Sequence, residues 1–366
     1  MPMERTAMRP SGALSHLSQL ARLGLPSRTV IPEMLKTLPD LAPSHFCMFV
    51  WIDAAGRPAD FHLPWIIPHA IEANSTLLTC DDMEVPSFTS LVRGGRPFGF
   101  AAEACRKPEF SGSFFYNEVC RPYGVGHGFD VFVRDGRTVR GAVLATREPG
   151  TSGYSRRETA ALMAAAPAFA HALAADRLDA PPPTSFSDDA ERAVLTLDGD
   201  GHIVGASGQH EQLLRALFDL RFDRGFSRDA FVSAAPDFFA PLIAKAARQP
   251  STVRLTPYGR IVIRLYPVTR PAGEGGVNPP APDPDHYYAL IERQVPLALD
   301  VMNRLAAFDL SPREREVARH MVVAEAPQQI MKAMGIGSHT LHDYRRRIYR
   351  RIGVGSREEL TQRVMQ

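Results

Sequence analysis

The sequence predicts a multidomain chain in which mixed α+β regions with antiparallel sheets precede an all-α module of four short helices. Three observations carry that prediction. At 366 residues and 40.3 kDa the chain is about two to three times the size of a typical single domain, so it should contain more than one core. Two proline-rich segments, residues 180–187 (APPPTSFS) and 271–285 (PAGEGGVNPPAPDPD), are poor in side chains able to bury surface. From Asp309 onwards, helix-capping serines alternate with short apolar stripes of helical spacing.

Taken in order, residues 46–52 (FCMFVWI) form a buried strand that ends in a turn at 53–58. Residues 128–133 pair with 139–146 across the Arg134-Asp135-Gly136-Arg137 turn. Ser155-Arg-Arg-Glu158 then has the Ser-x-x-Glu form in which cap and third residue satisfy each other's amides, opening a helix that runs towards Leu178. Strand, hairpin and closing helix resemble a GAF-type sensor domain, taken over residues 1–180. Beyond the first proline-rich segment, residues 193–197 and 202–205 flank a turn at 198–201, helical stretches follow, and strands come at 252–256, 260–268 and 286–293. This hairpin, helices and closing antiparallel set resemble a PAS-type domain over residues 188–298, with 271–285 as a disordered loop inside its sheet.

A charged content of 22% and a net charge of +2 exclude a wholly disordered chain and one coated in basic residues. The charge is unevenly placed. Residues 309–366 hold 11 Lys/Arg against 7 Asp/Glu, so the other 308 residues sum to −2. The four cysteines (Cys47, Cys80, Cys105, Cys120) form no CxxC pair, which argues against a zinc ribbon or disulfide scaffold. No apolar h-region follows the N-terminus, and no run approaches a membrane span, so a cytoplasmic protein is expected.

In the basic segment, Ser311 caps a helix with Pro312 at its first position and Glu314 bonding back. Pro327 opens a second helix with Ile330 and Met334 on its buried face. Gly335-Ile-Gly337 breaks it, Ser338 caps a third helix, and Ser356-Arg-Glu-Glu359 boxes a fourth with Leu360 and Val364 inward. Turned at about 100° per residue, the third helix gathers Leu341, Tyr344, Ile348 and Ile352 into one stripe. His339, His342, Asp343, Arg346 and Arg350 fall on the other side, with Arg347 at the margin. An outward cationic face on a helix preceded by another helix and a tight turn is what a DNA major groove accepts.

The run LSPREREVARHM followed by QQIMKAMGIGSHTLHDYRRRIYRRIGVGSREEL resembles the LuxR-type helix-turn-helix of bacterial transcription regulators, over about residues 306–366. The resemblance makes residues 328–334 the supporting helix and 338–351 the recognition helix, and leaves the last helix for dimer contacts. It puts His342, Asp343 and Arg346 at base-facing positions. Chemically, Arg346 can bridge guanine O6 and N7, Asp343 can accept from a cytosine amino group or pair with a neighbouring arginine, and His342 can touch a base edge or a phosphate. Thr340, Arg347, Arg350 and Arg351 are assigned to phosphates. Ala324 and Pro327 stand where the family usually has Gly and a polar Asn or Thr, Met331 replaces a small residue at the helix crossing, and His342 replaces a Lys or Arg.

The expected function is a sequence-specific DNA-binding transcriptional regulator, a homodimer on double-stranded DNA, with a small-molecule ligand possible at the N-terminal region. Two alternatives compete with it: an enzyme-like N-terminal region, for example with His62, His69 and His127 near Cys47 or Cys80, or a ligand-binding sensor whose basic tail only tethers it to nucleic acid or protein. No catalytic set is expected. Trp51, Trp65, Phe114, Phe115, Tyr116 and His127 supply either a cavity lining or plain core, core being the commoner use. Asp81-Asp82 lacks the third Asp and the Lys of a phosphorylation receiver, and no GxxxxGK[ST] occurs. No pattern calls for a metal or cofactor; His202, His210 and His286 are the residues that a haem or flavin would use.

Overall fold

Strands buried on both faces read as continuous apolar runs, whereas strands with one wet face alternate. Both kinds occur in the computed structural model, which describes residues 8–67, 70–71, 112–114, 116–177, 182–207, 210–221, 227–269 and 282–366. His69, Cys80, Asp81, Asp82, Cys105, Phe115 and residues 271–281 lie outside the described residues.

The chain opens with two helices, α1 (Pro10–Ala21) and α2 (Ser27–Leu35). Strands β1 (Phe46–Ile52), β2 (Pro58–His62), β3 (His127–Asp135) and β4 (Thr138–Arg147) form an antiparallel sheet in the order β2-β1-β4-β3. The expected hairpin is present, with Val131 opposite Val143 and Gly136 at φ +60° in the turn. Strand β1 is apolar throughout because both its faces are covered. Cys47, Phe49 and Trp51 pack under α1, α2 and α3 (Arg156–Ala175), while Val50 and Ile52 join a small cluster with Phe132 on the far side. Helix α3 starts at the predicted box, with the Ser155 hydroxyl accepting from the Glu158 amide and Glu158 accepting in return from the Ser155 amide.

The second sheet runs in the order β6-β5-β9-β8-β7, built from β5 (Phe186–Asp198), β6 (Ile203–Ala206), β7 (Ser251–Thr256), β8 (Gly259–Thr269) and β9 (Pro282–Pro296). Between β6 and β7 the chain forms α4 (His210–Phe218) and α5 (Arg228–Ile243). Leu195, Leu197, Ile261, Ile263 and Ile291 face these helices and are buried; Val194, Val253, Leu255 and Tyr288 on the opposite face are exposed. The buried side of this sheet shares one apolar cluster with Phe46, Phe61, Leu63 and Ile66 of the first sheet region. Burial therefore couples the two sheets.

Five helices complete the chain: α6 (Leu297–Leu305), α7 (Pro312–Val322), α8 (Pro327–Met334), α9 (Ser338–Ile352) and α10 (Arg357–Met365). Helix α6 serves two cores at once. Its Leu299 and Met302 belong to the cluster under the first sheet, and its Val301 and Leu305 to the C-terminal cluster. The Gln19 side chain of α1 adds a polar tie, donating to the Pro312 carbonyl and accepting from buried Arg315 at 2.9 Å.

Ala324, which ends the turn after α7, has φ +64°. A β-carbon in this left-handed region costs about 1 kcal/mol, a strain that glycine escapes at some cost in unfolded-state entropy. Ala324→Gly is expected to stabilise the C-terminal helices by about 0.5–1 kcal/mol, read as a higher midpoint in urea with an unchanged slope.

Candidate nucleic-acid interface

The C-terminal helices close on a small core in which Ile330, Ile348, Ile352, Leu360 and Val364 are buried, and Leu341 and Tyr344 half-buried. The apolar stripe of α9 thus faces inward, and its opposite face is open. His339, Thr340, His342, Asp343, Arg345, Arg346, Arg347, Arg350 and Arg351 are all exposed.

Several contacts fix the pose of this helix. Glu314, buried at the start of α7, accepts from the Ser311 amide and reaches across to Arg351 at 3.3 Å and Arg347 at 3.7 Å. Burial raises the proton affinity of Glu314, but the Ser311 hydrogen bonds and then Arg351 and Arg347 outweigh it and hold the carboxyl below its ordinary range. Arg347 also lies over the Tyr344 ring, 4.7 Å from its centre, and Arg351 donates to the Asp309 carbonyl. On α10, Arg357 donates to the carbonyls of Met321 and Glu325, pinning the last helix to the α7–α8 turn.

One sequence expectation is corrected here. Ser338 does not cap α9: Gly337, extended at φ −84° and ψ 171°, is the N-cap, and Ser338 is the first helical residue. A glycine cap supplies no side-chain acceptor. The amides of the first turn, near Thr340, therefore receive no side-chain cap from position 337. At the other boundary, Ser356 caps α10 as expected, but Glu359 accepts from the Gly355 amide. The helix α8 cap is Ala326, with Pro327 at its first position and Gly335 left-handed at its end.

The family model described as bacterial regulatory proteins, luxR family, matches residues 309–364. This segment is a LuxR-type helix-turn-helix domain. A search of curated proteins gave no significant match. Solved structures that are similar include the Vibrio cholerae VqmA–ligand–DNA complex, 14% identical over 48% of this chain and 82% of that chain with a TM-score of 0.26. They also include the VqmA dimer without target DNA, with the same identity and coverage and a TM-score of 0.18. A third is the sensor region of a sensor histidine kinase, 14% identical over 68% of this chain and 83% of that one, TM-score 0.17. Scores this low do not establish a common overall fold; the family rests on the C-terminal match.

Within the LuxR-type domain, α8 and α9 are consecutive helices joined by the Gly335–Gly337 turn, and one face of α9 is open. The three residues expected at bases are on that face. His342 Nδ1 lies 3.4 Å from an Arg345 guanidinium nitrogen, and Asp343 is exposed with no ion pair among the described residues. Of the four residues assigned to phosphates, Thr340 and Arg350 stand clear, while Arg347 and Arg351 are already oriented by Glu314. That orienting role was not legible from the capping box alone.

Elsewhere, the described members of the aromatic group divide between core and surface. Trp51 is buried in the first core, Trp65 is half-buried beside Phe46, Phe114 is exposed, and Tyr116 packs against the second core. Cys47 and His62 do line one cavity, but burial pushes the Cys47 thiol up to about 12, which leaves it a poor nucleophile. His202 is paired with Asp198. Among the described residues no group of His, Cys, Asp and Glu is placed to hold a metal, and no helix is long and apolar enough to cross a membrane.

Proposed function

We propose that this chain is a sequence-specific, DNA-binding transcriptional regulator of the cytoplasm that acts as a homodimer and answers to a small molecule held by its N-terminal region. The observation that carries the reading is the division of α9 into a buried stripe and an open cationic face. His342, Asp343 and Arg346 read base edges, and Thr340, Arg347, Arg350 and Arg351 hold phosphates. One such helix contacts only a few base pairs, so two copies on half-sites about one helical turn apart supply the affinity a single domain lacks.

The domains in this reading are a GAF-like unit over residues 1–180, a PAS-like unit over 188–298 and the LuxR-type domain over 306–366. The hairpin, intervening helices and closing three-stranded set of the second sheet, with its last strand returning beside its first, support the PAS-like assignment. Helix α6, packed into both the first core and the C-terminal one, gives a signal in the N-terminal region a mechanical route to α9. The raised Cys47 pKa makes that thiol an unfavourable nucleophile for an enzyme-like N-terminal region.

A gel-shift titration of the full chain on fragments upstream of its own gene should show saturable binding that resists competitor DNA; its absence would overturn the reading. Arg346→Ala should cost about 1–3 kcal/mol and relax one base position. Selection from a randomised-site library reads that relaxation directly, and an unaltered preference profile removes the assigned role.

A further inference from the structure

A cavity of about 510 Å³ lies between the two sheets, a size that suits a small organic ligand. Its lining combines two chemistries. Phe46, Trp65, Leu213 and Ala216 give the apolar part, with the Trp65 ring edge-on to Phe46 at 5.1 Å and half open. The charged part presents Lys36, Arg192, Arg215 and Arg293 against one lining carboxylate, Glu191, which Arg293 already occupies at 2.7 Å.

Outside the lining, Lys36 pairs with Glu33 at 2.7 Å and Arg192 with Glu292 at 2.7 Å, but Glu292 is shared with Arg264, so cations still outnumber carboxylates around the cavity. Asp60 beneath the cavity is shared between Arg215 at 2.7 Å and Arg28 at 2.6 Å, so one carboxylate serves two guanidiniums. Arg215 is 1% exposed, and its Nε has no hydrogen-bond partner among the described residues. His62 opens on the same space; burial, then Arg215 and Arg293, push its pKa down to about 3, so it is neutral there. A cavity ringed by more cations than carboxylates favours an incoming anion, and a carboxylate is the group that guanidinium and ammonium donors take best.

We propose that this cavity binds a small organic anion, a carboxylate carried on a flat apolar body, with the carboxylate at Arg215, Lys36 and His62 and the body against Trp65. Such a ligand touches both sheets and holds them together. The proposal deepens the regulator reading by placing the signal, and it rests on that reading only for the consequence of occupancy.

The test uses the full-length protein with benzoate, phenylacetate, 2-naphthoate and indole-3-acetate, each beside its own amide, followed by calorimetry and by tryptophan emission. Trp65 and Trp51 are the chain's two tryptophans, and Trp51 is in the first core, away from the cavity. At least one acid should bind saturably and about tenfold more tightly than its amide. Lys36→Gln and His62→Gln, checked for unchanged thermal unfolding without ligand, should each weaken the acid, and Trp65→Phe should remove the emission change while calorimetric heat remains. The site is overturned if none of the four acids binds, if acid and amide bind alike, or if the emission change survives in Trp65→Phe. The gel shift run in parallel separates the two ideas: DNA binding without acid binding removes the cavity site alone, and acid binding without DNA binding removes the regulator reading alone.

Discussion

Asp60→Asn is expected to destabilise the N-terminal region by about 3–5 kcal/mol, the range seen when one member of a buried ion pair is removed. Asp60 is fully buried and accepts four hydrogen bonds: from Arg28 Nε, Arg215 Nη1, the Tyr258 hydroxyl and the Phe61 amide. Asparagine keeps the shape but removes the charge that two guanidiniums share, and its amide turns a donor towards donors. The residues involved come from α2, β2, α4 and the β7–β8 turn, so both sheets should loosen together. Burial raises the proton affinity of Asp60, but Arg215 and Arg28 outweigh it and hold the carboxyl below its ordinary value. Its contribution is thus complete above the unfolded carboxyl value, about 3.9, and lost as pH falls through the lower folded value. In urea titrations, the gap between wild type and Asp60→Asn should be flat around neutrality and narrow below about pH 4. A gap of under about 1 kcal/mol at pH 7, the worth of a surface pair, would show that the cluster is solvated.

The parts legible in the sequence are those fixed by neighbours. The β3–β4 hairpin follows from a four-residue turn, the starts of α3 and α7 from capping boxes, and the two faces of α9 from a 3.6-residue period. What escaped depends on distance along the chain or on backbone geometry. Arg215 and Asp60 are separated by 155 residues and nothing local marks either as buried. The cavity between the sheets is not legible for the same reason, since its lining is gathered from both sheet regions. Strand β9 is longer than the expected 286–293 because it pairs with β5 on one side and β8 on the other, and the prolines at its two ends need no ladder donor. Helix α6 was not anticipated: it is nine residues long, and its apolar residues are divided between two cores that only the fold brings together. Gly337 displaced Ser338 as cap because a glycine in extended conformation fits the position equally well, and no periodicity distinguishes the two.

Ile348→Ala is expected to unfold the LuxR-type domain selectively and abolish DNA binding. Ile348 is fully buried at the middle of α9, in the cluster that joins α6, α7, α8 and α10, and an isoleucine-to-alanine change at such a site costs about 2–5 kcal/mol. A domain of this size has little stability to lose, because a small core buries a small fraction of its surface. The N-terminal cores meet this cluster through α6 and the Gln19 contacts to Pro312 and Arg315, and should keep their own unfolding transition. Calorimetry should then show the C-terminal transition lowered or missing beside an unchanged one, while the gel shift fails. Arg350→Ala makes the complementary case. It lies on the open face, so both transitions should stay in place while affinity falls and the salt slope of log K shallows by about 1. The pair of variants separates the two faces of one helix. If Ile348→Ala left the DNA affinity intact, the buried stripe would not be what holds the cationic face in position, and the division of α9 on which the regulator reading rests would fail with it.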